Sequence, residues 1–217
     1  MTYMTKFKIL ALSAALSSCS GLPLYDYGYN AIKESYLSLD NQVLDENYMT
    51  SSKYAFIRVR FGASRSSLLA LVRESNNILE WISADSIKIY TLNGKIIKTS
   101  GLPNDVEILS YPDFFSFVGS DFSTSYITNF YDPKLLEQLT RSDLSRKGKK
   151  NINSPIVGRD KLMVDLIEEK IYIESINWSR KNKYFFNANK EIEKTIQYTH
   201  PFSRPITIEF VKKYKKS

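Results

Sequence analysis

The chain has one cysteine in 217 residues, Cys19, so no disulfide can form within it. Packing and hydrogen bonding alone must hold whatever it folds into. The position of the cysteine is as telling as its number. Lys6 and Lys8 form a short positive region, Ile9–Leu16 (ILALSAAL) is apolar, and Leu16-Ser17-Ser18-Cys19 closes the run. This is the order of a bacterial lipoprotein signal. Small side chains suit the peptidase that cuts before the cysteine, and the free thiol accepts a diacylglyceryl group. The run is well short of the roughly 20 apolar residues a membrane-spanning helix needs. An ordinary secretory signal would show the same two regions. An unpaired thiol is a liability in an oxidising compartment, however, and lipidation of Cys19 accounts for both its number and its place.

The expected organisation is a signal peptide over 1–18, a lipidated tether over 19–25 and a single domain over 26–217. Acyl chains add about 0.8 kcal/mol per buried methylene, and several together anchor a protein permanently. Ser20, where an aspartate would usually retain a lipoprotein at the inner membrane, fits sorting to the outer membrane with the body facing the periplasm. That is a sorting convention rather than a physical deduction.

No second long apolar run follows, so the body reads as a globular domain on a lipid leash. The chain's 15 Tyr and 12 Phe, with many β-branched residues, favour strands. Lys53–Phe61 alternates, with Ala55, Ile57, Val59 and Phe61 on one face. Ser67–Glu74 and Ile78–Ser83 flank Asn76-Asn77 as a hairpin. Ser86–Leu92 and Lys95–Thr99 flank Asn93-Gly94, a pair suited to the positive φ angles of a type I′ turn. Tyr111–Val118 is aromatic and irregular, and Tyr126–Tyr131 reads as a strand. Ile32, Tyr36 and Leu39 share one face of a predicted helix over Tyr29–Leu39. Asp132-Pro133 resembles an N-cap and first helical residue, which predicts a short helix over Pro133–Leu139. Arg141–Lys161 is basic and broken by Gly148, Pro155 and Gly158, so it reads as a loop, and Glu168-Glu169 reads as a hairpin turn. Leu162–Ile167, Lys170–Trp178, Tyr184–Ala188, Ile192–Thr199 and Ile206–Tyr214 read as consecutive strands. The expected fold class is mainly β: an antiparallel barrel or sandwich with one or two short helices.

Chemistry is sparse. His200 stands alone before Pro201 and can build no metal site, so neither metal nor cofactor is expected. With Cys19 acylated, no thiol nucleophile remains. Gly-rich phosphate loops and the HExxH and GxSxG patterns are absent. A pair of carboxylates assembled in space for glycoside cleavage stays open, needing about 5–10 Å between them. The formal net charge of +7 includes Lys6 and Lys8. The remaining excess suits anionic lipid or acidic polysaccharide and is equally ordinary for a soluble domain, while export removes the opportunity to meet nucleic acid. Arg146, Lys147, Lys149 and Lys150 are the best polyanion candidates, with a solvated loop as the plainer reading. The tail lysines Lys212, Lys213, Lys215 and Lys216 invite the same two readings. Tyr111, Phe114, Phe115 and Tyr126 could stack on sugar rings, although aromatics at strand spacing more often fill a core.

One block, Ile78–Leu102, resembles the central signature of the YjbF/GfcB lipoproteins, a family associated with exopolysaccharide and group 4 capsule production. The matching residues are Trp81, Asp85, Thr91, Asn93, Gly94, Thr99, Gly101 and Leu102. Trp178, Asn182, Tyr184 and Phe185 are similar to a later strand of that family. Lys194, Gln197, Tyr198 and Pro201 resemble its next region, and Pro205–Val211 its closing strand. Asn187–Lys190 departs from the family's turn glycine, and Arg141–Lys161 has no counterpart. The resemblance implies an all-β, barrel-like domain and no enzymatic activity. It also implies partners: periplasmic and outer-membrane proteins of a polysaccharide secretion cluster. Trp81 is expected to plug the core, Asp85 to cap the turn after it, and Thr99, Gly101 and Leu102 to lead out of the hairpin. Three functions follow as alternatives: a non-catalytic, lipid-anchored accessory in polysaccharide secretion; a carrier holding lipid or glycan in a barrel cavity; and a polysaccharide-modifying enzyme. An open apolar cavity would favour the carrier and a filled interior would sink it.

Overall fold

The structure is a computed structural model that describes residues 47, 51–110, 121–156 and 160–214. Cys19, the tether, the predicted helix over 29–39 and the aromatic run over 111–118 lie outside the described residues.

Twelve antiparallel strands close into a barrel. In chain order they are β1 (Phe56–Phe61), β2 (Ser67–Ser75), β3 (Ile78–Ile82), β4 (Lys88–Leu92), β5 (Lys95–Ser100) and β6 (Val106–Ser110). The second half comprises β7 (Phe122–Tyr131), β8 (Lys134–Ile152), β9 (Leu162–Ile173), β10 (Trp178–Phe186), β11 (Ile192–Gln197) and β12 (Ile206–Lys212). Each strand pairs with its neighbours in sequence, and β1 pairs with β12 to close the sheet. Closure pairs the first and last described strands with each other, so neither ends the sheet as an open edge strand. Among the described residues no helix is long and apolar enough to cross a membrane.

The alternation in β1 has its physical cause in this closure. Ala55, Ile57 and Val59 enter an interior cluster with Leu69, Trp81 and Phe210. On the other face Tyr54 and Phe56 are also buried, against Ala70. Beside them Leu68 and Val211 are covered by Ile156 from the β8–β9 connection. The wall here is therefore covered on both sides. Asn76 and Asn77 take φ of 52° and 65°, and Asn93 and Gly94 take 49° and 85°, so both predicted Asn turns form.

Three segments differ from expectation. Pro133–Leu139 is strand rather than helix: the chain turns at Asp132-Pro133 and Leu135 pairs back with Phe130. Arg141–Lys161 is largely strand rather than loop, because β8 runs for 19 residues. It pairs with β9 from Arg141–Tyr172 to Ile152–Leu162. Gly148, at φ 87°, sits at the bulge beside Arg146 rather than in a loop. Glu168 and Glu169 likewise lie inside β9, not at a turn.

Candidate functional site

The signature block Trp81–Leu102 builds two hairpin ends. Trp81 is fully buried, donates its indole N–H to Thr91 Oγ1 at 2.9 Å, and meets Phe210 edge-on at 6.2 Å. At the β3–β4 turn the Ser83 hydroxyl donates to Asp85 at 2.5 Å, and the Ile87 amide donates to Ser83 Oγ at 3.0 Å. Gly94 has no room for a side chain, since a Cβ there would lie 2.5 Å from Ile192 Cδ1. Thr99, Gly101 and Leu102 all donate to one carboxylate, Asp105, at 2.8, 2.9 and 3.2 Å. Asp105 was not singled out in the sequence, although its place three residues after Leu102 marks a loop carboxylate facing free amides. Its role is clear from the ladder it supports. β5 and β6 share a single register pair, Lys98–Glu107, and the Val106 amide donates to the Thr99 hydroxyl at 3.1 Å.

Two family-like residues of the second half, Asn182 and Tyr184, converge inside the barrel on Glu169. This carboxylate is fully buried and accepts from Lys95 Nζ at 2.5 Å, Ser142 Oγ at 2.6 Å, Tyr184 OH at 2.7 Å and Asn182 Nδ2 at 2.9 Å. Burial pushes its pKa up, but the Lys95 charge and these donors outweigh burial and hold it below the usual carboxylate range. Burial pulls the Lys95 ammonium down against the opposing pull of Glu169. Tyr126 and Tyr184 are raised well above ordinary tyrosines by burial and by the neighbouring Glu169 charge.

Gln197 completes this polar belt. Its Oε1 accepts from the Ile96 amide at 2.9 Å, and its Nε2 donates to the Gly94 carbonyl at 2.8 Å. One side chain on β11 thus ties down β5 across the interior. The space left beside Lys95, Tyr126, Thr128 and Asn182 is about 30 Å3. That is room for water, not for an acyl chain. A larger hollow of about 690 Å3 lies at the barrel end where the chain enters, lined by residues including Tyr54, Ile156, Glu193, Phe210 and Lys213.

Outside the barrel, charges pair locally. Glu80 accepts from Arg73, Lys88 and Tyr90, which together outweigh burial and lower its pKa. Glu209 sits between Arg58 and Lys194 with the same outcome. Arg146, Lys147, Lys149 and Lys150 are all exposed on β8, and Arg146 pairs with Asp165 at 2.8 Å. Tyr126 is core rather than a sugar platform. His200 is buried, its Nδ1 accepts from the Phe202 amide at 3.2 Å, and burial lowers its pKa. Among the described residues no group of three or more His, Cys, Asp or Glu could hold a metal.

At the β10–β11 turn, where a family glycine was expected, the left-handed residue is Lys190, at φ 61°. Asn187 Oδ1 accepts from the Asn189 and Glu191 amides and holds the turn.

The family model YjbF, described as group 4 capsule polysaccharide lipoprotein gfcB, matches residues 29–211. Among solved structures, the crystal structure of the hypothetical lipoprotein YmcC from Escherichia coli (K12) is similar with a TM-score of 0.68. The two chains are 18% identical, and the alignment covers 85% of this chain and 95% of that one. At this identity the likeness concerns the fold. No curated protein matches the chain.

Proposed function

The chain belongs to the YjbF family of group 4 capsule polysaccharide lipoproteins, and from that membership we propose that it is a lipid-anchored, non-catalytic accessory of capsule or exopolysaccharide secretion. In this reading Cys19 carries the acyl chains, the anchor is the outer membrane and the barrel faces the periplasm. Its partners are periplasmic and outer-membrane proteins of the same secretion machinery. The family match over residues 29–211 carries the proposal.

The barrel's interior supports a binding or scaffolding role over catalysis. Glu169 is fully buried and paired with Lys95 amid further donors, which fits a structural ion pair better than an acid or base open to substrate. The carrier reading fails for the inner cavity, where about 30 Å3 cannot take an acyl chain, and rests on the hollow of about 690 Å3 at the barrel end. Deleting the gene is expected to reduce surface polysaccharide, and the wild-type gene to restore it. Cys19→Ala is expected to abolish palmitate labelling, release the protein from membranes and fail to restore polysaccharide. Unchanged surface glycan in the deletion strain would count against the accessory role, and retained labelling against Cys19 as the anchor.

A further inference from the structure

Unsatisfied polarity in this barrel is concentrated at one place. Among the described residues, the buried side-chain polar atoms without a hydrogen-bond partner are Trp178 Nε1 and His200 Nε2. Both rings pack edge-on against the same residue, Phe130, with centroids at 6.4 and 4.9 Å. Buried orphans are uncommon in native proteins and each calls for a cause.

The wall is incomplete at this point. β11 pairs only with Lys183–Phe186 of β10, so Trp178–Asn182 pairs with β9 alone. A side chain stands in for the missing ladder: Asn182 Oδ1 accepts from the Tyr198 amide at 2.7 Å. Trp178, Asn182, Tyr198 and Thr199 all line the interior cavity of about 30 Å3. Over this gap lies Arg180, its guanidinium carbon 6.0 Å from the Trp178 ring centre and 5.7 Å from that of Tyr198. Arg180 is exposed, donates to the Ser179 carbonyl, and takes part in none of the ion pairs found among the described residues. The connection that carries Tyr198 also presents Phe202, 70% exposed.

We propose that this gap is a binding site for an acidic saccharide whose carboxylate pairs with Arg180 and whose ring stacks on the partly exposed Tyr198. Each part has a chemical reason. A guanidinium fork matches a carboxylate bidentately. Aromatic faces suit the apolar C–H face of a pyranose. A water in the cavity, bridging to a saccharide oxygen, supplies the acceptor that the buried Trp178 N–H lacks. The inference rests on the polysaccharide role proposed above and adds to it a site and a ligand class.

The test uses the full lipidated protein in detergent micelles, with a hyaluronan tetrasaccharide as acidic probe and chitotetraose as neutral counterpart. Calorimetric titration is expected to show saturable binding of the acidic probe, at least tenfold weaker for chitotetraose. Arg180→Gln is expected to weaken acidic binding at least tenfold, and Arg180→Lys to recover only part of it. Because Arg180 is exposed, both variants should melt like the wild type. In NMR spectra the probe is expected to shift the Trp178 indole N–H signal and leave that of Trp81 in place. No saturable binding by the wild type, equal binding of the two probes, or full binding by Arg180→Gln would each overturn the site. If deletion lowers surface polysaccharide while the wild-type protein ignores the acidic probe, the site is wrong and the accessory role stands.

Discussion

Lys95 Nζ and Glu169 Oε1 lie 2.5 Å apart in the barrel interior, at side-chain exposures of 3% and 0%. The pair joins β5 to β9 across the lumen and sits where a purely apolar core would otherwise meet.

Breaking the pair from either side strands a buried charge, which costs about 3–5 kcal/mol. Lys95→Met and Glu169→Gln are each expected to lower urea-unfolding stability by that order. The double variant should cost far less than the sum of the two. Additive losses in the double-mutant cycle would show that the two groups do not act as a unit.

Glu169, Glu80 and Glu209 all have pKa values held below the ordinary 4.5. Their ionised forms therefore stabilise the fold fully above that value, and the contribution fades as pH falls through the lower folded values. Tyr126 and Tyr184 are raised above the ordinary 10.0, and burial with Glu80 pushes Tyr90 to about 12. Their contribution is full below pH 10.0 and fades as pH rises beyond it. Urea midpoints measured across pH should form a plateau that falls on both sides. Glu169→Gln should flatten the acid limb; an unchanged limb would remove Glu169 from the explanation.

Asp105→Ala removes the acceptor shared by Thr99, Gly101 and Leu102. The expected cost is about 1–3 kcal/mol. Amide exchange should quicken first at the β5–β6 seam, where Lys98–Glu107 is the single register pair. Uniform acceleration across the barrel would argue that the seam is not a separate opening unit.

Gly94→Ala places a Cβ against Ile192 at a φ of +85°. A loss of about 1–3 kcal/mol is expected from the strained backbone and the contact. Ile192→Ala in the same chain should restore only the steric part. Complete rescue would mean that backbone strain contributes nothing.

The readable parts of the sequence were those where the interior is apolar. β1 alternates because Ala55, Ile57 and Val59 meet Trp81 and Phe210, and Asn93-Gly94 announces its turn by backbone chemistry alone. β8, and the continuity of β9 through Glu168-Glu169, were illegible for the opposite reason. The inward residues Thr140, Ser142 and Glu169 are polar and buried, so hydrophobic alternation disappears where the strands are longest. Glu168-Glu169 therefore resembles a turn, and Asp132-Pro133 resembles a helix start. No local signal could show that Glu169 has a lysine 74 positions earlier to neutralise it.

The sequence by itself determined a β-rich body with no disulfide within the chain, and its signature residues pointed to the family. These are local or compositional properties: residue types, spacing and turn chemistry. The tertiary structure alone decided that the sheet closes on itself and that the family-like Asn182, Tyr184 and Gln197 meet around Lys95 and Glu169. It alone exposed the gap beneath Arg180. Closure and charge burial depend on contacts between distant strands, and only the assembled barrel removes those groups from water.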